Sequence, residues 1–318
     1  MKKAIITLGL TLLFAAAVMV LADETSDMPK AKYVTSFDEA KELAATENKP
    51  IIIDFYTDWC TWCKKFDKEV MTDPKAIEFL DNNVIFAKIN AEVDTNVSQA
   101  YKIMGFPTFV VAKADGEEYD RVAGYLPTED FIKTVNDYQN GIGTLGDLLN
   151  KSKDNQDRSL YFEIADKYKY RGETKDAEDW FDKIIAGANN DSIAGEAFMA
   201  IGDMYRRDKK KDEALGVYKK VVVDFAGTPF EGQGMMFIGH TLRAMDNYEE
   251  ALGTYNQVMN KFKGSDFEQE GEIYRAIAYR DKGDTTQAII AFQGFIEHWP
   301  NSEDVEYSNK QIRKLRGE

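Results

Sequence analysis

A chain of 318 residues with 44% hydrophobic and 12% aromatic side chains carries enough apolar material for two packed domains of ordinary size, which argues against wholesale disorder. Asp and Glu number 55 against 40 Lys and Arg, a net charge of -15, and a field of that sign repels phosphate backbones and anionic membranes, so nucleic acid is not an expected partner. Only two cysteines occur, Cys60 and Cys63. Cysteines that brace a small secreted fold come as several spaced pairs, and a zinc site built on C-x-x-C needs a second half of Cys or His ligands. Neither companion stands in the sequence, so a metal role ranks last.

Residues 1–22 read as an export signal: Lys2 and Lys3, then an apolar run, then Val20-Leu21-Ala22 before a cut. The apolar run over residues 4–21 approaches the length of a spanning helix, which keeps an uncleaved membrane anchor as the alternative. Either way the expected location is extracytoplasmic, in a bacterial periplasm. Residues 23–35 are polar and read as a flexible leader.

Ser36 caps a helix carrying Phe37, Ala40, Leu43 and Ala44 at helical spacing, which ends near Asn48-Lys49-Pro50. Ile51-Ile52-Ile53-Asp54-Phe55-Tyr56 is the pattern of a strand buried on both faces. The C-x-x-C follows at its carboxyl end, where open α/β sheets place their reactive groups. A helix from near Cys60 carries Cys63, Phe66 and Val70, and another begins after Asp73-Pro74. Residues 84–90 form the next strand, and residues 98–104 are helical in pattern until Gly105-Phe106-Pro107 breaks them. Thr108-Phe109-Val110-Val111, a turn at Asp115-Gly116, residues 119–123 and a last amphipathic helix over 128–138 complete the unit.

Asp54-Phe55, Asp58-Trp59-Cys60-Thr61-Trp62-Cys63-Lys64 and Gly105-Phe106-Pro107-Thr108, in that order, make residues 36–139 resemble an α/β thioredoxin-like domain. The W-C-x-W-C-K-K variant and Val70-Met71-Thr72-Asp73-Pro74 are most similar to exported thioredoxin-like proteins and to the C-terminal domain of thiol:disulfide interchange reductases. Thr61-Trp62 replaces the Gly-Pro of the commonest thioredoxins.

Residues 140–157 have linker composition, with Leu145, Leu148 and Leu149 able to form one short helix. The remainder is periodic. Ala177, Ala214, Ala251 and Ala288 recur every 37 residues, followed four positions on by Phe181, Tyr218, Tyr255 and Phe292. Ala165, Gly202, Gly239 and Ala276 keep the same step. Small residues let two helices approach and aromatics fill the gap, so each unit is a helical hairpin that needs its neighbours. Residues 158–304 therefore resemble an all-α solenoid of four tetratricopeptide-like repeats, with residues 305–318 as a capping helix, although the period is longer than the usual ~34. His240 and His298 read as structural, Gly232, Gly234 and Gly239 as packing positions rather than a phosphate loop, and the basic run at residues 206–211 as a solvated turn.

A thiol at a helix N-terminus sits near the positive end of the dipole, which favours the thiolate. Cys60 is the expected nucleophile, as the more exposed of the pair, and Cys63 the resolving thiol. The resemblance implies that Asp54 relays a proton with Cys63, and that the bond before Pro107 is cis, leaving adjacent backbone free to pair with an extended substrate beside the sulfurs. Trp59, Trp62 and Phe106 are the apolar contacts expected there, or simply pack. The resulting expectation is a thiol-disulfide oxidoreductase without a cofactor beyond the dithiol. It would act as reductase or isomerase on envelope proteins, fed by a membrane electron donor, with an unidentified protein partner on the repeats. The rival is an envelope assembly scaffold in which the repeats do the work and the thioredoxin-like domain senses redox state or holds a client.

Overall fold

A six-residue run with five buried side chains needs cover on both faces, and the strand Ile51–Tyr56 (β1) receives it by lying inside the sheet. The computed structural model describes residues 29–186 and 190–318; the export signal expected at residues 1–22 lies outside them. The sheet has four strands in the order β2-β1-β3-β4. Strand β2 (Ile85–Asn90) is parallel to β1, while β3 (Thr108–Ala112) and β4 (Glu118–Ala123) continue antiparallel on the other side. A parallel pair demands a crossover, which α2 (Thr61–Glu69) and α3 (Pro74–Asn83) supply.

Alternation along β1 divides the core in two. Ile51, Ile53 and Phe55 pack with Ala40 and Ala44 of α1 (Phe37–Glu47), whereas Ile52 joins Phe66, Phe109 and Phe131 on the opposite face. Ser36 caps α1 by accepting the Glu39 N–H, and Asn48 ends it at φ 52°. The helix expected at residues 98–104 is displaced: α4 spans Thr95–Ala100. Asp94 accepts the Val97 N–H and starts it early, and Lys102 at φ 50° leaves Ile103 and Met104 in a loop. Helix α5 (Thr128–Gln139) closes the unit.

Within residues 140–157, Leu145–Lys151 forms α6, capped by Thr144. Next come α7 (Arg158–Tyr170), α8 (Thr174–Ala186), α9 (Ser192–Arg207), α10 (Lys211–Asp224), α11 (Pro229–Ala244), α12 (Tyr248–Lys261), α13 (Asp266–Lys282), α14 (Thr285–His298) and α15 (Asp304–Arg316). Ala177, Ala214, Ala251 and Ala288 are fully buried, as are Phe181, Tyr218, Tyr255 and Phe292. The small positions are small for a reason: a Cβ at Gly202 would stand 2.4 Å from the Tyr218 ring, and one at Gly239 would stand 2.5 Å from Tyr255. A second such contact escaped the sequence reading: Gly195 and Gly232 receive the rings of Phe230 and Phe267, each 2.6 Å from where a Cβ would sit. Gly232 and Gly239 are thus packing sites.

The two units meet at Asp120, which is fully buried on the edge strand β4. Its carboxylate accepts from the Arg121 N–H at 2.7 Å, from the Leu145 N–H at 2.6 Å, from Arg171 Nη2 at 2.7 Å and from Lys167 Nζ at 3.0 Å. Strand, linker and first hairpin therefore share one anion.

Two predictions follow from this packing. Asp120→Ala strips the common acceptor from two cations, and removing one partner of a buried ion pair costs about 3 kcal/mol; calorimetry should show a fall in Tm of several degrees, and an unchanged Tm would mean the junction does not form. Gly216 and Gly253 have nothing within 4 Å of a would-be Cβ. Gly→Ala there should add roughly 0.5–1 kcal/mol in urea melts. The same change at Gly239 should cost about 1–3 kcal/mol, because the ring must move.

Candidate active site

Strand β1 delivers the chain to a short turn, Thr57-Asp58-Trp59, and Cys60 then serves as N-cap of α2. The Cys63 N–H donates to Cys60 Sγ at 3.0 Å, so the first sulfur occupies the place an N-cap oxygen usually takes. Cys60 and Cys63 are joined by a disulfide, with their Cα atoms 5.3 Å apart. Upon reduction, the same N–H and the positive end of the helix favour a thiolate on Cys60.

The expected difference in exposure is not observed: Cys60 and Cys63 are each 4% exposed. Bonded sulfurs share one environment, and the groups that face solvent are instead Trp59 and Trp62, 65% and 55% exposed. What distinguishes the cysteines is backbone position. Cys60 sits at the cap, where helix N–H groups point, and Cys63 one turn inside.

The residues expected around the pair fall into two flanks. Trp59 meets Phe106 edge-to-face at 5.9 Å, and its Nε1 donates to Glu92 Oε1 at 2.9 Å. The Phe106–Pro107 peptide is cis, and Pro107 is buried. Trp62 turns the other way, 5.8 Å from the Tyr125 ring, with the Lys65 ammonium 5.0 Å and 4.7 Å from the two ring centres. Exposed aromatic surface of this kind can hold an extended chain across the sulfurs.

Asp54 is 1% exposed, and Lys88 lies 3.3 Å from its Oδ2. Lys88 stands directly opposite Asp54 in the β1–β2 register, which is why the two meet. The same ammonium also pairs with Asp67 of α2. Burial dominates and pushes the Asp54 carboxyl up from 3.8 to about 6, although Lys88 pulls the other way. Burial alone would lower the Lys88 ammonium, yet Asp54 and Asp67 together hold it above its ordinary value. Asp54 Oδ1 and Thr57 Oγ1 are buried without a protein hydrogen-bond partner among the described residues.

Lys88, Asp67, Glu92 and Tyr125 were missed by sequence reading. Lys88 had a signal: one charge inside the apolar run Ile85-Phe86-Ala87-Lys88-Ile89, level with the charge in β1. The histidines hold repeat helices together, His240 Nδ1 lying 2.9 Å from the Tyr255 hydroxyl and His298 Nδ1 2.9 Å from Glu272. Among the described residues no cluster of His, Cys, Asp or Glu could hold a metal ion, and no helix is long and apolar enough to cross a membrane.

The raised Asp54 carboxyl sets a pH dependence of stability. Below about pH 3.5 the group is largely protonated in both folded and unfolded chains; between about pH 4 and 6 the unfolded carboxyl ionises while the buried one stays protonated, so stability falls by about 3 kcal/mol and levels off once the folded group ionises above 6. Asp54→Asn should therefore be the more stable protein at about pH 8 and equal to the parent near pH 3.5, read from denaturant midpoints of the oxidised forms. A constant difference across that range would remove Asp54 as the titrating group.

A thioredoxin-like domain family matches residues 37–139, and a tetratricopeptide repeat family matches residues 273–302. Thiol:disulfide interchange protein DsbD of Salmonella typhi is 30% identical over 112 residues, covering 33% of this chain and 20% of that protein. Thioredoxin Y1, chloroplastic, of Arabidopsis thaliana is 31% identical over 102 residues, covering 32% of this chain and 57% of that one. The chain thus spans a fifth of the DsbD length. Among solved structures, DsbH oxidoreductase aligns with a TM-score of 0.31 at 21% identity, over 34% of this chain and 86% of its own. The protein therefore joins a thioredoxin-like domain bearing the Cys60–Cys63 pair, homologous to thiol:disulfide interchange proteins of the DsbD type, to a helical solenoid of tetratricopeptide character.

Proposed function

We propose that the protein is an extracytoplasmic thiol-disulfide oxidoreductase that reduces or isomerises disulfides of envelope proteins. The observation that carries this reading is the Cys60–Cys63 pair at the start of α2, with the Cys63 N–H on Cys60 Sγ. In the reductive direction the Cys60 thiolate attacks a substrate disulfide, one substrate sulfur leaves as thiolate, and a mixed disulfide forms. Asp54 takes the Cys63 proton. The Cys63 thiolate then attacks Cys60 Sγ, expels the second substrate sulfur and restores the Cys60–Cys63 bond, so that two electrons have passed to the substrate. Regeneration needs an external dithiol, for which a membrane electron donor is the proposed source.

Trp59, Trp62, Phe106 and Pro107 form the proposed substrate contacts, supported by the exposure of both tryptophans and the Trp59–Phe106 pairing. The tetratricopeptide repeats are the proposed seat of a protein partner, which their family resemblance supports. Tethering would raise the local concentration of whatever they hold. Extracytoplasmic placement rests on the sequence of residues 1–22.

Reduction of insulin with dithiothreitol as electron source tests the reading. Cys60→Ser should lower the rate by about two orders of magnitude, whereas reduced Cys63→Ser mixed with insulin in the absence of dithiothreitol should accumulate a mixed disulfide on Cys60 that added dithiothreitol releases. Equal rates for the parent and Cys60→Ser would overturn the oxidoreductase assignment in favour of the scaffold.

A further inference from the structure

The turn between α7 and α8 lies against the loop that joins α4 to β3 and flanks the disulfide site through Phe106, and two separate contacts hold it there. The first is a forked hydrogen bond. Arg121 of β4, 7% exposed, commits Nε and Nη2 to Glu118 at 2.9 and 2.5 Å. Its Nη1 donates to two carbonyls from distant parts of the chain: Tyr101 O at 2.9 Å, at the end of α4, and Tyr170 O at 3.1 Å, at the end of α7. A planar guanidinium with five fixed donors can serve all these acceptors at once; a Lys ammonium with three cannot. The second contact is steric. Gly172 has φ +66°, and a Cβ there would lie 3.3 Å from Met104 Sδ and 3.7 Å from Lys102 Cβ, so the turn backbone rests on the loop.

The loop itself is lightly held. Tyr101 is anchored, its ring against Phe37 and Phe55 and its hydroxyl on Gly116 O at 2.6 Å. Beyond it, the local hydrogen bonds are the Lys102 N–H to Gln99 O, the Ile103 N–H to Ser98 O and Thr108 Oγ1 to Gly105 O, while Ile103 and Phe106 are partly buried against the core. At the far end Phe106 meets Trp59, the residue before Cys60. Segments with partly exposed side chains and few internal hydrogen bonds open at low free energy unless something packs on them.

We propose that Arg121, together with residues 170–173 of the first helical hairpin, is a positioning element of the exchange site. It clamps residues 102–106 so that Phe106 and Pro107 keep the pose that receives an extended protein disulfide. The inference rests on the oxidoreductase reading above and deepens it: the solenoid supports the rim of the site as well as tethering a partner. A protein substrate that leans on this loop depends on the clamp. A small disulfide that reaches only the sulfurs does not.

The test uses the full chain with Arg121→Met and Arg121→Lys. The lysine variant keeps a cation beside Glu118, guarding against loss of the fold, but cannot fork to both carbonyls. In both variants the amides of residues 101–106 should exchange hydrogen about tenfold faster while those of β1 are unchanged. KM for insulin should rise about threefold to tenfold, with kcat and the rate on a small aromatic disulfide within about twofold of the parent. Unchanged exchange at residues 101–106 in a folded variant, or an equal loss on insulin and the small disulfide, would overturn the clamp. If the parent itself fails to reduce insulin, the oxidoreductase reading falls, and hydrogen exchange still decides whether the clamp exists.

Discussion

A strand buried on both faces leaves chemistry a single outlet, the end where the chain leaves the sheet. Strand β1 is such a strand, and its carboxyl end is followed within a few residues by Cys60. The position of the sulfurs, the placement of Asp54 and the crossover that starts α2 all derive from that constraint. Apolar burial fixes the strand, the parallel partner forces a helix, and the helix N-terminus provides the field in which a thiolate is favoured.

Asp54 shows how the same burial perturbs a charged group. A carboxylate in that position is costly, and Lys88 across the ladder offsets part of the cost without abolishing it. Asp67 draws the same ammonium toward α2. The outcome is a carboxyl pushed up to about 6, which is what the proposed proton relay would require.

Much of this was legible in the sequence, and the reasons are physical. The run of β-branched residues at 51–53 announces a central strand, and the exact recurrence of Ala and aromatic residues every 37 positions announces stacked hairpins, because close helix packing tolerates nothing else there. The dithiol could be named because its companions were absent. Less legible was whatever depends on contacts across the chain. Lys88 meets Asp54 only through strand register, and Asp120 looks like an ordinary edge-strand carboxylate until Arg171, 51 residues on, is folded against it. The start of α4 was misjudged because Asp94 as a cap outweighed the apolar spacing of the residues beyond. Relative exposure of the two sulfurs is a property of the bonded state, which spacing does not encode.

The junction at β4 also bears on solubility. An outermost strand offers unpaired N–H and C=O groups to any passing chain, the usual route to sheet-to-sheet polymerisation. Here the Arg121 N–H is taken by Asp120, and the side chains of both residues are engaged by α7 and the turn after it. On the opposite margin Val34 bridges to Ala87, donating its N–H to Phe86 O and accepting the Lys88 N–H. Each margin of a sheet that carries an exposed aromatic site thus has backbone groups already engaged, which leaves fewer of them for another chain to pair with beside the surface most prone to stick to other proteins.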